Sequence, residues 1–190
     1  MARLKDKLVE LAWVRVTNVY YVTAPSQVRL IDAAMPCEFV AIDATNCTRL
    51  IEFREAERVA QYRAKLAAGE IGYFTQGPAG MLGSIWATVN RGDVPLVARQ
   101  YMRLAPGDAL IHDIVTGEAS RGRGVGSFMT ARMVRALLAM PGIRRVVIDV
   151  HVRNGGSNRM MEKIGLARAE RMAFLTLFKR RAAALRLAGS

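Results

Sequence analysis

The run Arg121-Gly122-Arg123-Gly124-Val125-Gly126 constrains this chain more than any other segment. Glycine at alternate positions lets a backbone take turns denied to other residues and come close to a ligand. Residues 109–116 before it read as a buried strand. Residues 124–140 after it read as a helix, with Val125, Phe128, Met129, Met133 and Leu137 on one face. A strand that passes through such a turn into a helix aims the helix's unpaired N–H groups and positive dipole end at the turn. Together these make a site for phosphate oxygens, and Arg121 and Arg123 add charge at its rim. The chain has no GKS or GKT, so the turn is not a Walker loop. A dinucleotide fingerprint needs the turn on the first strand of a parallel sheet, with an acidic residue about twenty positions on. Here several strands come first, and Asp149 falls too late, inside a strand.

A chain of 190 residues that is 52% hydrophobic favours one domain with a full core. No window approaches roughly 18 uninterrupted apolar residues, the length of a membrane span. The charged start, with Glu10 and Arg15 interrupting the apolar stretch after it, makes a poor signal peptide. Cys37 and Cys47 give neither a disulfide framework nor a CxxC metal spacing, which fits a reducing, cytoplasmic setting. His112 and His151 are too few for a zinc site, and no metal is expected. The formal net charge of +12 leaves nucleic acid or an anionic membrane surface open as a partner, beside plain solubility. No nucleic-acid reading motif accompanies it. An oligomer also stays open.

Along the chain, residues 1–12 place Leu4, Leu8 and Leu11 at helical spacing, and residues 13–23 could be extended. Residues 37–42 read as a strand, 47–68 as one or two helices, and 71–76 and 81–90 as a hairpin around Gly77-Pro78-Ala79-Gly80. Residues 91–107 look like a long loop. A strand over 143–152, a short helix over 154–164 and a last strand over 171–178 complete the order β-α-β-β-β-α-β-α-β. That order is a mixed α/β sheet. The division is an N-terminal extension over 1–36, packed on or leading into the domain, a single domain over 37–178, and a basic tail over 179–190.

The run 121–126 fits the pattern of Arg or Gln, two residues, Gly, one residue, Gly or Ala. After the next strand come Asn154, Ser157 and Glu162-Lys163-Ile164-Gly165-Leu166. Both elements, in this order, resemble those of the GNAT (Gcn5-related N-acetyltransferase) superfamily. The resemblance covers about residues 108–178 well and residues 37–90 in strand order only. It implies a central mixed β-sheet flanked by helices, with the family's fourth and fifth strands splayed for the cofactor. It also implies an acyl-CoA-dependent N-acyltransferase, most simply one that moves an acetyl group from acetyl-CoA to a primary amine. The acceptor would be a small-molecule amine or a protein amino group. The alternative is a coenzyme A-binding sensor or partner subunit with little catalysis.

By the same resemblance, Arg121, Gly122, Arg123, Gly124, Val125, Gly126 and Ser127 bind the pyrophosphate. Backbone groups of Ile114, Val115 and Thr116 take the pantetheine arm and the carbonyl. Asn154 and Ser157 hold the pantetheine or leaving-thiol end. Many relatives carry a Tyr general acid seven residues after the Asn; here that residue is Met161, whose thioether donates no proton. Leu166 replaces the usual Phe. A general base belongs near the strand before the turn, where Asp113 and His112 are the candidates. Regular alternation puts them on opposite faces, and Asp113, next to Ile114, is favoured. Glu118 is a poorer base and His151 reads as structural. Asp43, Asn46 and Glu52 are candidate acceptor contacts by family position, and helix capping explains Asn46 as easily. Trp13, Tyr20, Tyr21, Tyr73 and Trp86 could line an acceptor pocket, although core packing suits most of them.

Overall fold

The computed structural model describes residues 12–177 and 180–187. Its β-branched and aromatic runs form β1 (Ala12–Val22), β2 (Glu38–Ala41), β3 (Ile71–Gly77), β4 (Gly80–Val89), β5 (Leu96–Ala98), β6 (Met102–Leu104), β7 (Asp108–Thr116), β8 (Arg145–His151), β9 (Glu170–Leu177) and β10 (Arg180–Leu187). The helices are α1 (Val59–Ala67), α2 (Val125–Leu138) and α3 (Gly155–Lys163). Eight strands make one sheet in the order β10-β9-β1-β8-β7-β4-β3-β2, and β5 and β6 pair as a separate hairpin. Within the sheet β7 and β8 run parallel, because α2 carries the chain across between them, and the other neighbours run antiparallel.

The apolar stripe read from the sequence is the buried stripe of α2. Phe128, Met129, Met133 and Leu137 pack on Ala109 and Ile111 of β7, Val146 and Ile148 of β8, and Tyr20 and Val22 of β1. The opposite face of the sheet is covered twice. Tyr62 of α1 and Leu50 of the turn before it cover Phe74 and Trp86. The β5–β6 hairpin lays Tyr101, Met102 and Leu104 over Leu110, Val147 and Phe174. Helices and hairpin on both faces make this a mixed α/β fold.

Two irregularities in β7 shape everything around it. Its ladder to β8 runs from Asp108↔Arg145 to Ile111↔Ile148 and stops there, although both strands continue. Its ladder to β4 slips between Ser84↔Val115 and Trp86↔His112, so Asp113 and Ile114 together face Ile85. This is a β-bulge, and Asp113 takes it up with a left-handed φ of 49°. The alternation expected for His112 and Asp113 therefore fails. Both side chains lie on the α1 face, as their shared partners show below.

Three segments differ from the sequence reading. Residues 91–107 are not a bare loop, because they hold the β5–β6 hairpin. Its turn places Arg99 and Gln100 at φ of 50° and 68°, a geometry that glycine or asparagine normally announces. Within the basic tail, Arg180–Leu187 form a strand, β10, paired antiparallel to β9. The segment before residue 37 supplies β1, an interior strand between β9 and β8. The helix read over residues 1–12 falls outside the described residues up to position 11.

Gly83 sits where β4 passes β7 just beyond the bulge. A Cβ there would lie 2.4 Å from the Val115 carbonyl oxygen and 3.2 Å from Thr116 Cα, backbone atoms that cannot swing away. Gly83→Ala is expected to destabilise the fold by about 1–3 kcal/mol. Thermal unfolding would show this as a fall in Tm of about 2–4 °C per kcal/mol.

Candidate functional site

Past Ile111 and Ile148 the two parallel strands diverge, and β7 leads through the short turn Glu118–Ser120 into the glycine run. Gly122 and Gly124 adopt left-handed φ values of 76° and 81°. Gly124 is the N-cap of α2. It offers no capping side chain, and the first turn carries no acidic residue. Elsewhere such caps satisfy the first N–H groups of a helix; here those groups and the dipole end are left for a ligand. The segment after β1 straps the turn from outside. The Ala34 N–H donates to the Arg123 carbonyl (2.9 Å), and the Arg29 N–H to the Ile164 carbonyl (2.8 Å). Arg132 and Arg135 of α2 donate to the Ile31 and Val28 carbonyls (both 3.2 Å).

A cleft of about 580 Å³ opens in front of this helix end. Thr116, Ser120, Arg121, Gly122, Gly124, Val125, Gly126 and Ser127 line one side, and Asn154, Gly156, Ser157, Arg159, Met160 and Lys163 the other. The two sequence elements thus meet across one space. Sequence reasoning had not singled out Arg159 or Met160, and named Lys163 only as part of the 162–166 element, without a role. Arg123 is exposed beside the cleft and holds the strap through its carbonyl. Ile114 packs at the margin of the α2 core, and Val115 pairs with Ser84. Neither has a ladder partner on β8. Asn154 Oδ1 caps α3 by accepting from the Ser157 N–H (3.1 Å). Met161 is fully buried in the α2 core, and its neighbour Met160 is the methionine that faces the cleft.

On the α1 face, at the fork of the split, lies a half-buried ionic cluster. Asp113 accepts from Lys65 Nζ at 2.8 Å and lies 3.5 Å from Arg54 Nη1. Burial pushes the Asp113 carboxyl up, but the hydrogen bond and charge of Lys65 and the charge of Arg54 outweigh it and hold the pKa below the usual carboxylate range. Lys65 also sits over the Trp86 ring, 5.0 Å from its centroid. His112 Nε2 is 3.0 Å from Thr88 Oγ1 and 3.4 Å from Glu70 Oε2. Burial also opposes ionisation of Glu70, and contacts with His112, Lys65 and Thr88 again bring its pKa down. Arg54, Lys65, Glu70 and Thr88 carried no local sequence signal. Lys65 and Glu70 are near in the chain, but they meet Arg54, Thr88 and the β7 pair only because α1 packs over β4 and β7.

Most of the other candidates have structural partners. Asp43 and Asn46 close a turn on themselves, with Asn46 Oδ1 accepting from the Asp43 N–H and Asp43 Oδ1 from the Asn46 N–H. Glu52 accepts from the Met81 N–H at 2.6 Å and from Arg49. Tyr20 donates to Asn158, Tyr21 to Glu170, and Tyr73 stacks on Phe39. His151 Nδ1 accepts from the Arg153 N–H. Glu118 is exposed in its turn. The Trp13 side chain lies outside the described set.

Sheet, split and helix end define a mixed α/β protein of the acetyltransferase kind. The family model described as the acetyltransferase (GNAT) domain matches residues 52–174, more than half of the chain, and the chain belongs to that family. No curated protein matches the sequence. Among solved structures, the chain is similar to a putative GNAT-family acetyltransferase from Novosphingobium aromaticivorans DSM 12444. The two share 18% identity at a TM-score of 0.57, over 87% of this chain and 64% of that one. A GCN5-related N-acetyltransferase from Kribbella flavida shares 12% identity at a TM-score of 0.57, over 92% of this chain and 63% of that one. This chain thus spans under two thirds of either. The aminoglycoside N-acetyltransferase AAC(6')-Iy in complex with CoA shares 16% identity at a TM-score of 0.54, over 72% of this chain and 91% of its own. These likenesses are of fold.

The Asp113 ion pairs have a consequence for acid stability. A carboxyl whose folded-state pKa is depressed stabilises the fold above its unfolded pKa and loses that contribution as pH falls through the folded value. Asp113→Asn is therefore expected to lower Tm at neutral pH. The gap to the native chain should close on acidification, as a Tm series against pH would show.

Proposed function

We propose that this chain is an acyl-CoA-dependent N-acyltransferase, most simply an N-acetyltransferase, acting on a small primary amine by direct attack in a ternary complex. One observation carries the reading: the glycine run, the uncapped start of α2 and the cleft-facing side of α3 line one space at the mouth of the β7–β8 split. The residues fit the cofactor. Arg121, Arg159 and Lys163 give the cleft positive charge, and Gly126 lacks a Cβ that would sit 2.9 Å from Met160 Sδ. Bound acyl-CoA supplies an activated thioester carbonyl. Gly122, Gly124, Val125, Gly126 and Ser127 would hold its pyrophosphate, with Arg121 and Arg123 at the rim. The unpaired edge of β7 at Ile114, Val115 and Thr116 would hold its arm, and Asn154 and Ser157 the thiol end.

For the base, the geometry favours His112 over Asp113. Two cations engage the Asp113 carboxylate, which weakens it as a proton acceptor. His112 is the first residue beyond the last β7–β8 pair, so it stands at the fork. Orientation of the amine and stabilisation of the developing oxyanion would come from backbone groups of β7. The aminoglycoside acetyltransferase of similar fold supports a small amine as acceptor. Met161 favours a second reading, a coenzyme A-binding module with little catalysis, because no acid stands at that position.

Acetyl-CoA is expected to raise Tm by binding the native state, and ATP and NAD to do so far less. Equal protection by all three would reduce the cleft to a general anion site. Gly126→Asp should abolish the acetyl-CoA shift while leaving the circular dichroism native, because its carboxylate would meet the phosphates. Release of free thiol from acetyl-CoA across a panel of amines separates the enzyme from the binding module.

A further inference from the structure

Glu70 lies at the entry to β3, and its carboxylate faces His112 from beyond β4. Thr88 Oγ1 stands 3.4 Å from Glu70 Oε1 and 3.0 Å from His112 Nε2. The second carboxylate oxygen, Glu70 Oε2, is buried and has no hydrogen bond, yet it lies 3.4 Å from the same imidazole nitrogen. A carboxylate only accepts, and the threonine has a single hydroxyl proton. If His112 carried its proton on Nδ1, the Nε2 lone pair would point at a carboxylate oxygen that lacks a donor. With the proton on Nε2, that oxygen and the hydroxyl oxygen both face a donor, and the hydroxyl proton is free for Glu70 Oε1. The buried oxygen then has a donor rather than a second lone pair beside it, the arrangement that a buried carboxylate favours.

We infer that Glu70, together with Thr88, is a positioning residue that fixes neutral His112 as its Nε2–H tautomer and so leaves Nδ1 as the proton acceptor. The inference rests on the acyltransferase reading for what Nδ1 acts on, but not for the tautomer itself. Nδ1 has no hydrogen-bond partner among the described residues and is not one of the buried unpaired atoms, so it keeps some exposure to solvent. When the attacking amine gives up its proton, an N–H bond of the amine breaks and an Nδ1–H bond forms. The positive charge that then appears on the ring is faced by the Glu70 carboxylate. The other charged groups near the ring are Lys65 of α1, 3.9 Å from Glu70 Oε2, and Asp113 of β7, which Lys65 and Arg54 already pair. Trp86 of β4, the cross-strand neighbour of His112, is apolar toward it apart from its ring N–H.

The test is nitrogen-15 NMR of the histidine side chains, assigned with His112→Gln, beside steady-state kinetics. The native chain at a pH where His112 is neutral is expected to show a protonated Nε2 and an unprotonated Nδ1. Thr88→Val and Glu70→Ala should turn this into a mixture of tautomers. They should lower kcat without raising the KM for acetyl-CoA, by less than the ~10²–10⁴-fold of complete loss of a general base. Thr88→Ser, which keeps the hydroxyl, should restore both the single tautomer and the rate. A native spectrum with Nδ1 protonated overturns the inference, as does a single Nε2–H tautomer that survives both Glu70→Ala and Thr88→Val. A native chain with the stated tautomer but no thiol release with any amine would fail the acyltransferase reading alone.

Discussion

The rest of this structure depends on a parallel pairing that stops early. Four residue pairs hold β7 to β8, and α2 packs across that stretch with Phe128, Met129, Met133 and Leu137. This core fixes both strands at one end. Beyond Ile111 and Ile148 the backbone groups that would have continued the ladder face each other across a widening gap. Unpaired backbone polar groups away from water are costly, so the gap is kept open by what surrounds it. On one face α2 begins at the split, and on the other α1 brings charged side chains to its fork. The cleft is the direct result of a sheet held together at one end and parted at the other.

The glycine turn is held from both sides. Its inner side meets α3 through Met160, whose sulfur also lies 3.8 Å from the Thr130 hydroxyl of α2. Its outer side is tied by residues 28–34, through backbone bonds to Arg123 and Ile164 and through the Arg132 and Arg135 side chains. The bonds to Arg123 and Ile164 are main chain to main chain, so they fix position without depending on side-chain identity. A turn with two left-handed glycines would otherwise be the loosest part of the chain.

Much of this was legible in the sequence. The glycine run, the stripe on α2 and the Asn154–Leu166 element each carry a local period or spacing, and the structure brings them together as their order suggested. What was not legible is mostly long-range. The ionic cluster joins Lys65 of α1, Thr88 of β4 and His112 and Asp113 of β7 with Arg54 and Glu70 of the connecting segments, and no window of sequence contains it. The β5–β6 hairpin turns through Arg99 and Gln100, residues whose type does not announce a left-handed turn. The tail read as basic because arginines flank its alanines and leucines, yet partnership with β9 decides that it is a strand. The faces of His112 and Asp113 were misjudged for a related reason. Regular alternation is the right default, and only a cross-strand register shows where it breaks.

That break has a further meaning. Before the bulge, the even-numbered side chains of β7 lie on the sheet face that α1 and the β5–β6 hairpin cover, Leu110 under the hairpin and His112 beside α1. After it the odd-numbered ones do, as Val115 does opposite Ser84, whose hydroxyl meets Tyr62 of α1 at 2.5 Å. Ile114 and Thr116 are thereby delivered to the α2 side, where Thr116 reaches the cleft. One strand therefore carries two phases, and Asp113 is the hyphen between them. Removing Asp113 alone would let Ile114 follow His112 in regular alternation and leave every downstream side chain on its present face, whereas ironing out the bulge with Asp113 kept would exchange the inner and outer sides of everything downstream, up to the glycine run itself.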